Sequence, residues 1–303
     1  MVYQQSMSFN LHKFLSALYG RVLSPQAKDR LEAFILLLSA FGFLIHLAAI
    51  GAYHLGLLQA SESSLLASPI SAIYTPFSFI LIYEVYLLVY HLPASFSESV
   101  ARQYEIISLI IVRNLFKDIS RLDNTENWLR SRYNMELGID MLGFLLIFYL
   151  IYRFYRLMGR RPQMEENPDV GPFIRFKKGI ALVSIPILVG LVVFSLGDWI
   201  FEVYQYQVGL LTELSDVNKI FYDEFFTYLI LVDVVVLIFS FRYTRQYSLL
   251  IRNTGFIVST ILIRLSFTAE GLLDMVLVVA GVLFGTLILG IYNQVARLEG
   301  KTA

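Results

Sequence analysis

Apolar residues along this chain gather into long runs instead of alternating with polar ones. The runs lie at about 33–57, 73–94, 138–157, 179–197, 223–243, 253–269 and 272–293. Each is close to the ~20 residues that a helix needs to cross a bilayer. An eighth stretch, 101–119 (ARQYEIISLIIVRNLFKDI), has a shorter apolar centre interrupted by Arg113, so hydropathy alone reads it as a surface helix. Upstream, residues 8–23 set Phe9, Phe14, Leu15, Leu18 and Val22 at helical spacing opposite Lys13 and Arg21, and stop at Ser24-Pro25. That pattern predicts an amphipathic helix lying in the membrane interface.

Loop charge orients these runs. Residues 153–178 hold Arg153, Arg156, Arg160, Arg161, Arg175, Lys177 and Lys178, whereas 198–224 hold six acids against the single base Lys219. By the positive-inside rule the first loop is cytoplasmic and the second external. Arg242, Arg245 and Arg252 place the next loop inside, and Arg297 and Lys301 place the C-terminus there. The basic N-terminal segment also belongs inside, so the number of crossings must be even. Counting 101–119 as a span restores that parity. The expected fold class is therefore all-α: a polytopic transmembrane bundle of eight spans, the alternative being seven spans plus an amphipathic surface helix.

Composition agrees with lipid as the solvent, since the 303 residues are 57% hydrophobic and only 16% charged, outside the range of ordinary soluble domains. Zero formal net charge offers no basis for nucleic-acid binding. The absence of cysteine removes disulfides, thiolate metal sites and cysteine nucleophiles from consideration and fits a bacterial-type inner membrane. Residues 1–29 lack the uninterrupted apolar core of a cleavable signal peptide.

The two halves resemble one another. Residues 107–116 (ISLIIVRNLF) align without gaps on 258–267 (VSTILIRLSF), bringing Arg113 over Arg264. A preceding-helix acid stands 29 residues before the first arginine, at Glu84, and 31 before the second, at Asp233. This predicts two parallel four-helix repeats, with an interfacial helix at 1–29, a first membrane unit at 30–157, a linker at 158–178 and a second unit at 179–303.

Those four charges are the main candidates for function. A charged side chain mid-membrane costs roughly 2.5–3.5 kcal/mol on insertion scales, so a helix keeps one only against a partner, a cavity or water. Glu84 with Arg113, and Asp233 with Arg264, are expected to pair across helix interfaces, either as an ion or proton route or as structural ion pairs. Gly281 and Gly285 form a GxxxG that lets another helix approach closely. His46, His54 and His91 show no metal-site spacing and read as packing residues. Pro76 and Pro186 are expected to kink their spans, and Trp128 and Trp199 to sit in interfacial belts. No HExxH, Walker loop, GxSxG or dinucleotide fingerprint occurs, so no catalytic residue, metal or cofactor is implied.

Around the first acid, Tyr83-Glu84 in the second run, Pro93 closing it, and Phe96 leading to Glu105 in the third make a pattern that resembles voltage-sensor-type four-helix modules. The resemblance covers about 35 residues. It implies a transfer site in which Glu84 and Glu105 receive arginines of a fourth helix. The fourth run departs from the pattern, because Arg153, Arg156, Arg160 and Arg161 crowd its end and its apolar middle carries no arginine ladder. The expected function is channel- or transporter-like movement of a small ion or proton along the buried pairs. The alternative is a non-catalytic scaffold or regulatory subunit of a membrane complex. Expected partners are the lipid bilayer and other membrane subunits or a second copy of the chain.

Overall fold

The computed structural model describes residues 18–57, 69–119, 132–159, 170–207, 217–244, 246–269 and 272–302. These form eight long helices with no strand among them: α1 (Pro25–His54), α2 (Tyr74–Tyr90), α3 (Phe96–Ile119), α4 (Arg132–Met158), α5 (Val170–Gln207), α6 (Val217–Tyr243), α7 (Tyr247–Ser266) and α8 (Leu272–Thr302). Six segments are long and apolar enough to cross a bilayer: Leu18–His54, Asn134–Met158, Gly171–Phe194, Glu224–Tyr243, Tyr247–Ser266 and Leu272–Leu298. The all-α, multi-pass membrane character expected from the sequence holds at this level. Helix α2 is apolar but only 17 residues long, about 25 Å at 1.5 Å per residue, and α3 carries charge near both ends. Neither reaches the standard of the other six. Most of the interfacial segment 8–23, Trp128, part of the linker and the side chain of Trp199 lie outside the described residues.

Local chemistry sets the helix ends. Ser24 caps α1, its hydroxyl accepting from the Ala27 amide at 3.1 Å, and Pro25 occupies the first helical position, where its missing N–H deprives no carbonyl. At the other end Gly56 turns left-handed, at φ 72°. Its N–H reaches the Tyr53 carbonyl while that of Leu57 reaches Ala52, the paired closure of a Schellman motif.

Two expectations about proline and loop position are corrected. Pro76 does not kink a span. It lies in the first turn of α2, after the 3-10 turn Pro69–Ile73, where a proline costs the helix no hydrogen bond. The stretch from 198 onward is not a loop at its start, because α5 runs on to Gln207 and also begins earlier than expected, at Val170. Pro186 does sit inside α5.

The chain divides into two compact units, one of residues Met1–Tyr90 with Ile106–Phe144, the other of His91–Glu105 with Leu145–Ala303. In the first, α1 and α2 pack antiparallel. A Cβ on Gly42 would come within 2.6 Å of the Phe79 ring, so a larger residue there would have to displace that ring, and one turn on His46 Nδ1 meets Thr75 Oγ1 at 2.5 Å. Further along, the Tyr83 hydroxyl donates to Glu32 at 2.5 Å. In the second unit α7 and α8 form an antiparallel hairpin whose glycines alternate across the seam. Gly255 faces Ile288, and Gly281 and Gly285 face Ile263 and Ser259.

Most large apolar side chains on the outward faces of α1, α4, α5 and α8 are exposed, among them Ile45, Leu145, Phe148, Val193 and Leu287. Such surface would be unfavourable in water and suits acyl chains.

Candidate functional site

Within the first unit, the structure brings Glu84 of α2 and Arg113 of α3 together: Nη1 lies 3.3 Å from Oε2, and both residues are buried, at 2% and 5% exposure. Phe77 of α2 and Phe116 of α3 stack at 5.2 Å and join the same two helices. The guanidinium is therefore enclosed by protein and does not rest in solvent.

The second unit holds the richer arrangement. Asp233 of α6 and Arg264 of α7 are 4% and 2% exposed, and Arg264 Nη1 lies 2.7 Å from Asp233 Oδ2. Oδ2 also accepts from the Thr260 hydroxyl at 2.9 Å. That hydroxyl has one proton and a second acceptor at the same distance, the Ile257 carbonyl, so the two share it. The other guanidinium nitrogen, Nη2, donates to Gln103 Oε1 of α3 at 3.0 Å, and Gln103 Nε2 reaches Ser99 Oγ at 3.4 Å. A polar line thus runs Ser99–Gln103–Arg264–Asp233–Thr260 across three helices. It lets both charges remain in a low-dielectric interior, where an unpaired ion would be far costlier.

Next to it, the Tyr104 hydroxyl and Ser259 Oγ lie 2.5 Å apart, and Ser259 reaches the Gly281 carbonyl at 2.6 Å. Ser259 has a single proton and a carbonyl can only accept, so Ser259 donates to Gly281 and Tyr104 donates to Ser259. A Cβ on Gly285 would overlap the Tyr104 hydroxyl, and one on Gly281 would lie 2.9 Å from the Ser259 carbonyl oxygen. The GxxxG therefore admits α7 and the start of α3 within one chain.

Glu105 receives other partners from those the voltage-sensor resemblance implies. It is half-exposed, accepting from Arg102 at 2.9 Å and from Tyr155 of α4 at 2.8 Å. Two residues from Gln103, it points some 200° around α3 from that side chain. Lys177 is buried between the rings of Phe96 and Phe173, 5.5 and 5.2 Å from their centroids, and donates to the Ala94 carbonyl.

Gln103, Thr260, Tyr104 and Ser259 escaped sequence reasoning. Neutral polar side chains barely disturb an apolar run, and the partners stand 155 and 161 residues apart for Tyr104–Ser259 and Gln103–Arg264. The one available signal was that Gln103 and Tyr104 fall on the face of α3 left unexplained by Arg102 and Glu105. Among the described residues no group of His, Cys, Asp or Glu could hold a metal ion. No protein-family model, curated protein or solved structure matches the chain.

Proposed function

We propose that this chain is an eight-span inner-membrane protein, channel- or transporter-like, that moves a small ion or proton, with Asp233–Arg264 and Glu84–Arg113 as charge-compensated stations. The observation that carries this reading is the polar line around Asp233. Packing alone needs no such device, because apolar residues of equal volume hold buried interfaces as well or better than ion pairs. Ionisable groups kept inside a membrane mark ion and proton paths by default. In this reading the conformation described is the closed one, each arginine lying against its acid. Opening then requires Arg264 to exchange Asp233 for other acceptors.

A second reading, a non-catalytic scaffold or regulatory subunit, draws on the same closure: both pairs sit at bonding distance and are sealed from solvent. One experiment separates the two. Protein reconstituted in liposomes is assayed for proton and monovalent-cation flux, alongside Asp233→Asn and Glu84→Gln. Flux that either substitution reduces at least tenfold supports transport. No flux from folded protein, or flux indifferent to both substitutions, removes it in favour of the scaffold.

A further inference from the structure

The end of α4 in the second unit carries a feature that the buried pairs do not use. Leu145, Tyr149 and Tyr152 form an exposed apolar stripe, and at helical spacing the same stripe runs on into Arg153 and Arg156, both exposed. Near the same end of α4, Asn293 of α8 donates to the Leu157 carbonyl at 2.8 Å. Arg297, exposed and one turn further along α8, lies on the face that Asn293 turns toward the α4 terminus. Arg153 and Arg156 of α4 and Arg297 of α8 thus all lie within about one turn of the contact between these two helix ends. No carboxylate pairs with any of them among the described residues. Glu105, on α3 beside Tyr155, is already held by Arg102 and Tyr155.

We infer that this end of α4 binds the headgroup of an anionic phospholipid, its phosphodiester between Arg153, Arg156 and Arg297 and one acyl chain along Leu145, Tyr149 and Tyr152. Guanidinium forks match phosphate oxygens in geometry and charge. Tyrosine rings favour the depth where headgroups meet acyl chains. The helix terminus opposes an anion with only about half a negative charge, against three full positive ones. The continuous apolar stripe is what selects a lipid over free phosphate, since it offers surface only a chain can cover.

The test uses the whole protein in uncharged detergent, measuring retention of phosphatidylglycerol, phosphatidylcholine and inorganic phosphate separately by native mass spectrometry. Phosphatidylglycerol should be retained preferentially. Arg153→Gln with Arg156→Gln should weaken that preference about 25-fold and Arg297→Gln about fivefold, at about fivefold per arginine, while Arg153→Lys with Arg156→Lys, which keeps the charge and loses the fork, should weaken it less than the glutamine pair. Equal retention of the two lipids, a preference unchanged in the glutamine variants, or inorganic phosphate binding as tightly as the lipid would overturn the inference. Should the double glutamine variant not fold, Arg297→Gln on the other helix decides the matter alone.

Discussion

Asp233 accepts from Thr260 and faces Arg264 at 2.7 Å, both of them buried. Removing one charge therefore strands the other. Asp233→Leu should destabilise the folded protein by about 3–5 kcal/mol, and Asp233→Leu with Arg264→Leu should recover most of that loss, because the double variant leaves no buried charge without its counter-ion. Thermal melting in detergent, read as a double-mutant cycle, checks both. A double variant as unstable as the single would mean that the neutral groups Gln103 and Thr260, left unpaired, cost as much as the ion. Tyr104→Phe probes the adjoining line more gently. It deletes one donor while Ser259 keeps its bond to Gly281, so a loss of about 0.5–1.5 kcal/mol is expected. At this scale the charged members were legible from sequence, since each imposes a penalty in lipid that only a partner relieves. Glu84 and Arg113, and Asp233 and Arg264, do meet. Their neutral companions impose no penalty visible along one strand of sequence, and distance along the chain hides which of them meet.

Helices show how far periodicity reaches and where it stops. Apolar runs located the long helices, yet they missed the true ends of α5, because a helix does not stop where hydrophobicity does. With 38 residues it measures about 57 Å at 1.5 Å per residue, against a hydrocarbon core of about 30 Å. Its last turns, DWIFEVYQYQ, therefore extend beyond any bilayer that holds its middle. The native chain has no cysteine, so Phe201→Cys should react with a membrane-impermeant maleimide in intact cells or proteoliposomes while Val189→Cys, also exposed in the structure, should not. Reaction at both positions would place the middle of α5 in water. The α7–α8 seam offers a contrast within one residue type. Gly281→Ala forces its new methyl against Ile263 and the Ser259 carbonyl, and should cost about 1–3 kcal/mol. Gly190→Ala in α5 meets nothing within 4 Å and should be neutral or stabilising by up to about 1 kcal/mol. The GxxxG spacing was visible in the sequence, but its neighbour was not, since any helix presenting a small or flexible face could have filled it.

For the whole molecule, the proposed eight-span plan turns on α3. Its Arg113 is enclosed against Glu84 and not in solvent, and Leu109 and Phe116 on the same helix are exposed apolar side chains, which suit lipid better than water. Crossing by α3 sets the parity of everything after it. If it spans, Ser95 before the helix and Ile119 at its end lie on opposite sides of the membrane, and Ile119 shares a side with Phe201 while Ser95 shares one with Gly159. If it lies along the surface, Ser95 and Ile119 share a side. Single cysteines at Ser95, Ile119, Gly159 and Phe201, all exposed at their helix ends, distinguish these outcomes when labelled in sealed right-side-out and inverted vesicles. The expected pattern pairs Ile119 with Phe201 and Ser95 with Gly159. Ser95 and Ile119 labelling from the same side would remove α3 from the membrane. Glu84–Arg113 would then be a structural pair enclosed at the membrane surface, and conduction would rest on Asp233 and Arg264 alone.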